Sequence, residues 1–202
     1  LNAAKSIKGY VKSSVSGQIV ADYRSSASVE VFRVFDANNT QKAAFKNKDS
    51  AIFEYSKKFD HADINAENIL VSEEEIKEAY EKVDAKLLEV MRKSLVNIRA
   101  YHEKQKQNSW FQSEENGAIL GQKVTQIEKV GVYVPGGKAV YPSSVLMNVV
   151  PAKVAGVDEI IMTTPPGKDG KVNPSTLVAA KEAGVDKIYK VGGAQAVAAL
   201  AF

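Results

Sequence analysis

Three glycine-containing turns carry the residue types in this sequence that are best suited to ligand binding. They read PGGKAVYPSS (residues 135–144), TPPGKDGKVNPS (164–175) and VGGAQA (191–196). Glycine allows the backbone to approach a ligand closely, and a helix beginning after each turn would present free N–H groups to an anion such as phosphate. A dinucleotide or phosphorylated ligand therefore suits these turns. The alternative is that their glycines serve the geometry of the turns alone.

A strand precedes each turn and a helix follows it. The apolar runs predict strands at residues 130–134, 159–163 and 187–191, and helices at about 143–154, 175–183 and 194–201. Strands that alternate with helices in this way predict an α/β fold with an open parallel sheet and right-handed crossovers. Ligands bind beyond the carboxyl ends of the strands in such sheets. The three turns are therefore expected to lie along one edge.

The region before the sheet is predicted to be helical. A helix over residues 49–59 would carry Ala51, Ile52, Tyr55 and Phe59 on one face. Ser72 and Glu75 have the spacing of a capping box and predict the start of a second helix. A third helix is expected to begin at Asp84, with an apolar packing stripe made of Leu87, Leu88, Met91, Leu95 and Ile98.

The remaining segments are less regular. In the first 47 residues, only the run 29–35 resembles a strand, and residues 36–39 are typical of a turn. Residues 118–129 have no helical period and predict extended chain, with a hairpin as one possibility. We expect three parts: an arm (1–47), a helical region (48–117) and an α/β domain (118–202).

Several kinds of active site have no counterpart in the sequence. The dinucleotide motif G-x-G-x-x-G and a Walker A loop are missing, so a bound nucleotide would need a variant site. The absence of cysteine excludes disulfides and thiolate metal sites. His61 and His102 are far apart and are interpreted as surface residues. Ser143 and Ser144 are predicted to cap a helix, the alternative being a hydroxyl that faces substrate.

The composition favours a globular protein of the cytoplasm. The 202 residues are 45% hydrophobic and 25% charged, with a net charge of +3. This small basic excess, without an arginine-rich tract, argues against nucleic-acid binding. No apolar stretch approaches the roughly 20 residues that span a bilayer, and the basic opening lacks the apolar block of a secretory signal.

The sequences of these same turns and helices resemble the histidinol dehydrogenase family. The matching runs are VGVYVPGGKAVYPSSVLMNVVPAKVAGVDEIIMTTPP and GVDKIYKVGGAQAVAALAF, with EYSKKFD, VSEEEIKEAYEKVD and NIRAYHEKQKQNSWF upstream. The resemblance extends from about Lys48 to Phe202. It implies an α/β fold of incomplete Rossmann type, like that of histidinol and aldehyde dehydrogenases, preceded by a helical region.

The resemblance also implies a function. Members of this family are homodimeric zinc enzymes that oxidise L-histidinol to L-histidine through the aldehyde and reduce two NAD. Their NAD contacts fall on Tyr133, in Y-V-P-G-G, and on Gln195, in G-G-A-Q-A. Both residues belong to the turns described above. The alternatives are a buried tyrosine and a capping glutamine.

Two features depart from the family pattern. Residues 1–47 do not follow the family's usual opening. The family's Glu-His acid–base pair and zinc ligands are expected beyond Phe202, so we assign no catalytic or metal-binding residue here. A polypeptide of these residues alone is expected to be inactive. A non-catalytic α/β module that binds nucleotides or sugar phosphates is the alternative function.

Overall fold

The fold is described from a computed structural model. The structure describes residues 19–21, 32–34, 49–136 and 140–201. Strands β1 (Ile19–Ala21) and β2 (Phe32–Val34) pair antiparallel, with Val20 opposite Arg33. Strand β2 falls within the strand-like run 29–35, whereas the turn predicted at 36–39 lies outside the described residues.

The first helix ends differently from the prediction. Helix α1 (Asp49–Tyr55) buries Ala51 and Ile52 and continues into a π-helical turn, Ser56–Asp60. Phe59 stacks on Tyr55, with ring centroids 5.7 Å apart, so these two residues share a face as predicted, although the Phe59 side chain is 48% exposed.

The next two helices begin where the sequence predicts. In helix α2 (Glu73–Lys82), the Glu75 N–H donates to Ser72 Oγ at 3.2 Å, and the Ser72 N–H donates to Glu75 Oε2 at 3.0 Å. These bonds confirm the capping box. Asp84 caps helix α3 (Ala85–Glu103) by accepting hydrogen bonds from two backbone N–H groups.

The apolar stripe of α3 packs against the core, as predicted, except at its margin. Met91 is buried, and Leu88, Leu95 and Ile98 are half-buried against the same core. Leu87 is exposed, so its inclusion in the packing stripe was wrong. It precedes Leu88 by one residue, and one residue turns a helix by about 100°.

A hairpin follows α3. Strands β3 (Trp110–Ser113) and β4 (Ile119–Gln122) pair antiparallel, with Phe111 opposite Gly121. The extended chain predicted for residues 118–129 is confirmed in β4, which pairs with the strand preceding it. The side chains of both strands are exposed.

The parallel sheet is the centre of the fold. Strands β5 (Lys129–Tyr133), β6 (Glu159–Thr164) and β7 (Lys187–Lys190) run in the same direction in the order β5-β6-β7. They alternate with helices α4 (Pro142–Val154), α5 (Pro174–Ala183) and α6 (Gly193–Ala201). Each bound lies within one residue of the prediction, which confirms the α/β fold.

The sheet has one face toward α4 and α5 and the other toward α6. Val132, Ile160 and Met162 join the large core on the first face, which also takes in Ile76 of α2 and Met91 of α3. The helical region and the sheet thus share a core, while the division at residue 118 stays a prediction.

On the second face, α6 packs closely against β5. A Cβ atom added at Gly131 would lie 3.0 Å from Leu200, so glycine leaves the space that this side chain fills. Ala198 of α6 contacts Ala51 of α1, so α1 lies on this side as well. Among the described residues, no helix is long and apolar enough to cross a membrane.

Candidate functional site

The three glycine-containing turns meet at the carboxyl edge of the sheet, as the sequence predicts. Pro165 follows the central strand and lies between the other two turns. A Cβ added at Gly136 would lie 2.9 Å from Pro165 Cγ, and one added at Gly192 would overlap Pro165 Cβ. Position 192 therefore requires glycine, because any side chain there would collide with Pro165 of the neighbouring turn.

Tyr133, the last residue of β5, connects the first turn to the third. The Gly193 N–H donates a hydrogen bond to Tyr133 Oη at 3.2 Å. Because β6 lies between β5 and β7, the Tyr133 side chain crosses over β6 to reach this group. Its hydroxyl oxygen acts as the acceptor in this bond, so the hydroxyl hydrogen remains available to a further acceptor.

Gln195 lies in the first turn of α6, next to the same glycine. Its side chain is 1% exposed. A Cβ added at Gly193 would lie 2.6 Å from Gln195 Oε1 and 3.1 Å from Nε2, so the amide group packs against the Gly193 Cα. Gly193 has a φ of +69°, a left-handed conformation that glycine adopts without strain. The two predicted site residues, Tyr133 and Gln195, therefore meet at Gly193.

The Gln195 amide nitrogen is unsatisfied: this atom, Nε2, is buried and has no hydrogen-bond partner among the residues that the structure describes. Buried polar atoms in proteins are nearly always paired, so a free donor beside a glycine turn and a helix N-terminus needs an explanation. A ligand acceptor placed on this turn would provide a partner.

Thr163 is a third polar residue here, and the sequence predicts for it only a place in a strand. It lies opposite Tyr133 in β5 and opposite Tyr189 in β7, so the three side chains share one face of the sheet. Thr163 is 2% exposed, and its Oγ1 has no partner within the described part of the chain. No spacing rule would have singled it out.

A buried ion pair holds α2 at the same end of the sheet. Lys190, the last residue of β7, is 5% exposed, and its Nζ lies 2.9 Å and 3.0 Å from the two carboxylate oxygens of Glu75. The Lys190 N–H also donates to Ile69 O at 2.8 Å. The segment before α2 is thus fixed along the free edge of β7.

The carboxyl edge of the sheet, where the three turns meet, is called the rim below. A cavity of about 350 Å³ adjoins it, between α2 and the loop that follows β6. Gly136 and Pro165 form part of its wall. Glu78, also in the wall, has Oε2 at 3.4 Å from Lys82 Nζ and at 3.3 Å from Lys171 Nζ. Hydrogen bonds from Lys171 and Lys82 hold the pKa of Glu78 below its usual value. The volume lies within the range of small-molecule pockets.

The prediction that Ser143 and Ser144 cap a helix was wrong. Helix α4 begins at Pro142, and its N-cap residue is Tyr141, whose side chain makes no capping hydrogen bond. Proline favours the first helical position because it has no N–H to satisfy there. The two serines therefore lie inside the first turn.

The histidines match their interpretation as surface residues only in part. His61 is exposed, while His102 is half-buried, with its Nδ1 2.6 Å from Gln105 Oε1. Within residues 49–136 and 140–201, no group of three or more His, Cys, Asp or Glu side chains is placed to hold a metal ion.

Comparison with known proteins identifies the family. The family model described as histidinol dehydrogenase matches residues 36–202. This chain belongs to the histidinol dehydrogenase family. The match begins 12 residues before Lys48, the approximate start of the resemblance in the sequence.

Individual histidinol dehydrogenases cover most of the chain. The protein from Heliobacterium mobile is 62% identical over 152 residues, which are 75% of this chain and 36% of that protein. The protein from Bacillus subtilis (strain 168) is 56% identical over 156 residues, 77% of this chain and 36% of that protein. The chain therefore spans about a third of the length of these curated relatives.

A solved structure confirms the fold. The crystal structure of histidinol dehydrogenase from Elizabethkingia anophelis matches with a TM-score of 0.76 and 35% sequence identity. The match covers 84% of this chain and 40% of that one. The helical region followed by a parallel α/β sheet is thus an architecture of the histidinol dehydrogenase family.

Proposed function

We propose that this chain is the NAD-binding part of a histidinol dehydrogenase, an oxidoreductase of histidine biosynthesis. The reaction is the two-step oxidation of L-histidinol to L-histidine through the aldehyde. The observation that carries the proposal is the meeting of the Tyr133 hydroxyl and the Gln195 amide at Gly193, where α6 begins. Membership of the family supports it independently.

The residues at the rim suit a dinucleotide. NAD, when bound, supplies the hydride acceptor of the reaction. Tyr133 can donate its hydroxyl hydrogen to a cofactor oxygen while it holds Gly193 in place. Gln195 offers the buried, unpaired Nε2 as a second donor. The N-terminus of α6 favours a negative group such as a phosphate.

Further parts of the proposal rest on the family alone. Zinc would bind the substrate and would be held by residues outside this chain. A homodimer and a cytoplasmic location are expected for the same enzyme. A purified polypeptide of these 202 residues should therefore show neither turnover nor tight zinc binding. Appearance of NADH from L-histidinol with that polypeptide would contradict this expectation.

The competing function is a non-catalytic module that binds nucleotides or sugar phosphates at the same edge. The family match over residues 36–202 favours the dehydrogenase. The gene sequence after the codon for Phe202 separates the two functions. A downstream Glu-His pair with further histidine ligands supports the enzyme, and a stop codon there supports the module.

Titration of NAD tests the site directly. The longest polypeptide encoded by the gene is titrated with NAD in a calorimeter, as the wild type and as Tyr133→Phe and Gln195→Ala. Each variant loses one hydrogen bond to the cofactor, so NAD binding should weaken about 3- to 10-fold. A sugar phosphate is titrated in the same way, because it is a ligand of the competing, non-catalytic function.

Tyr101→Phe is the matched control, because it removes the same hydroxyl group from a tyrosine that is exposed on α3 and belongs to none of the three turns. Its dissociation constant for NAD should equal that of the wild type. If Tyr133→Phe and Gln195→Ala both bind NAD as tightly as the control does, the turns are scaffold and the proposed site is wrong.

A further inference from the structure

Two buried polar atoms on the α6 side of the sheet lack a hydrogen-bond partner within the described residues: Thr163 Oγ1 and Gln195 Nε2. The first can accept a hydrogen bond, and the second can only donate one. The two atoms are therefore complementary. A direct bond between them would satisfy both.

The position of Tyr133 places both residues in one small region. The Tyr133 side chain starts from β5, crosses over β6 and reaches Gly193, which follows β7 in the chain. Thr163 is the β6 residue directly opposite Tyr133 and points to the face that this side chain crosses. The Gln195 amide packs against Gly193, where the tyrosine hydroxyl ends.

We infer that Thr163 is a positioning residue for Gln195. When NAD occupies the rim, the Thr163 hydroxyl accepts a hydrogen bond from one N–H of Gln195 Nε2 and fixes the orientation of the amide, so that the second N–H of Nε2 is presented to the cofactor. This inference rests on the proposed NAD site and adds the residue that orients one of its contacts. No bond forms or breaks other than hydrogen bonds.

In the protein without NAD, the Thr163 hydroxyl is not expected to contribute to stability. Because the Thr163 hydroxyl has no partner there among the described residues, its removal should not lower stability. Thr163→Val preserves the shape of the side chain, and its melting temperature should be equal to that of the wild type or higher. A hydroxyl that supports the fold itself would give the opposite result.

A double-mutant cycle on the longest encoded polypeptide tests the coupling. NAD dissociation constants are measured by calorimetry for the wild type, Thr163→Val, Gln195→Ala and the double variant. Thr163→Val should weaken NAD binding about 3- to 10-fold in the wild-type background and not at all when Gln195 is already replaced. Thr163→Ser should stay within about twofold of the wild type, since it retains the hydroxyl. Thr163→Ala replaces Thr163→Val if that variant does not fold.

Thr164→Val is the matched control, because Thr164 is equally buried and points to the opposite face of the sheet. Any effect it has on NAD binding should be the same whether or not Gln195 is replaced. Steady-state kinetics add a second measurement: in Thr163→Val the KM for NAD should rise while the KM for L-histidinol stays unchanged.

The outcomes separate the inference from the function on which it rests. If Gln195→Ala weakens NAD binding and Thr163→Val does not, Thr163 has no positioning role and the NAD site stands. Additive losses in the double variant overturn the inference in the same way. If Gln195→Ala has no effect on NAD binding, the proposed site and the inference are both wrong.

Discussion

Lys190 and Glu75 form a buried ion pair in which both carboxylate oxygens of Glu75 lie within 3.0 Å of the Lys190 Nζ. Glu75 Oε2 also accepts the Ser72 N–H of the capping box. One carboxylate thus completes the start of α2 and neutralises the cation at the end of β7. The pair attaches α2 to the carboxyl edge of the sheet, beside the turns of the proposed site.

Removing one member of this pair should cost much of the stability. Lys190→Met leaves the Glu75 carboxylate without its cation. Breaking a fully buried pair costs about 3–5 kcal/mol, and because the Glu75 side chain is 20% exposed, the loss in the free energy of unfolding should be at most about 3 kcal/mol. Urea unfolding followed by circular dichroism measures this loss. The double variant Lys190→Met/Glu75→Gln should recover part of it, because no unpaired charge remains.

Lys181→Met is the control for that prediction. Lys181 pairs with Glu73 at 3.0 Å on the surface, with both side chains largely exposed. Exposed pairs contribute about 0–1 kcal/mol. Equal losses for Lys181→Met and Lys190→Met would show that burial of the second pair has no special role.

Tyr80 should ionise later than a tyrosine in water. Burial, together with the hydrogen bond that Tyr80 Oη donates to Glu182 Oε1 at 2.8 Å, raises its pKa to about 12. The folded state holds this proton more tightly than the unfolded state, whose tyrosine has an ordinary pKa of about 10. The resulting stabilisation is complete below about pH 10 and is lost as the pH rises through about 12.

An ultraviolet absorbance titration measures that shift. The difference between the wild type and Tyr80→Phe isolates the ionisation of Tyr80 from the other seven tyrosines of the eight in the chain. The difference signal should appear near pH 12. A midpoint near pH 10 would contradict the role of Glu182.

Glu182 should make the protein less stable in acid. Hydrogen bonds from Arg92, at 2.8 Å to each carboxylate oxygen, outweigh burial and, with the Tyr80 hydroxyl, lower the Glu182 pKa. The unfolded state therefore binds this proton first as the pH falls. The contribution to stability is present above the ordinary pKa, about 4.3, and disappears as the pH falls through the lower folded value.

Unfolding at a series of acidic pH values tests this sign. Glu182→Gln removes the titrating group, so the free energy of unfolding should depend less steeply on pH below about 4.3 than it does in the wild type. Arg92→Met should flatten the profile in the same window, because it removes the main cause of the shift. An unchanged slope in both variants would contradict the assignment.

The sheet could be predicted from the sequence because its signals are local. Strands β5 and β6 are centred on short apolar runs, a glycine or proline follows each of the three strands within two residues, and Gly184 ends α5 in a left-handed conformation, with a φ of +92°. The capping box of α2 is similarly contained in four consecutive residues. These patterns also place Tyr133 and Gln195 at one edge without any knowledge of tertiary contacts.

The parts that were missed depend on contacts between distant residues. Lys190 is 115 residues from Glu75, so nothing near it in the sequence predicts a buried lysine. Thr163 becomes a candidate site residue only through its neighbours in the fold, Tyr133 in β5 and the start of α6. The π-helical turn after Tyr55 has no known residue pattern, so the sequence predicts a continuous helix there and not the change of helix type.

The close packing of Gly192 on Pro165 gives the last prediction, since it determines whether the three turns can meet. In Gly192→Ala the new Cβ would overlap Pro165 Cβ, and both atoms belong to parts of the chain that cannot move without shifting a turn. Overpacking of this kind costs about 1–3 kcal/mol in the free energy of unfolding. Displacement of the third turn should also separate Gly193 from Tyr133 and weaken NAD binding.

Gly167→Ala is the matched control on the neighbouring turn. A Cβ there would lie 2.8 Å from Asp169 Oδ1, the end of an exposed side chain that can rotate away at the cost of one exposed hydrogen bond, from the Lys171 N–H. Neither glycine requires a left-handed φ, so the two substitutions differ mainly in what the new methyl group meets. Thermal unfolding and NAD titration should therefore show large losses for Gly192→Ala and small ones for Gly167→Ala. Equal losses would mean that contact with Pro165 does not hold the rim together.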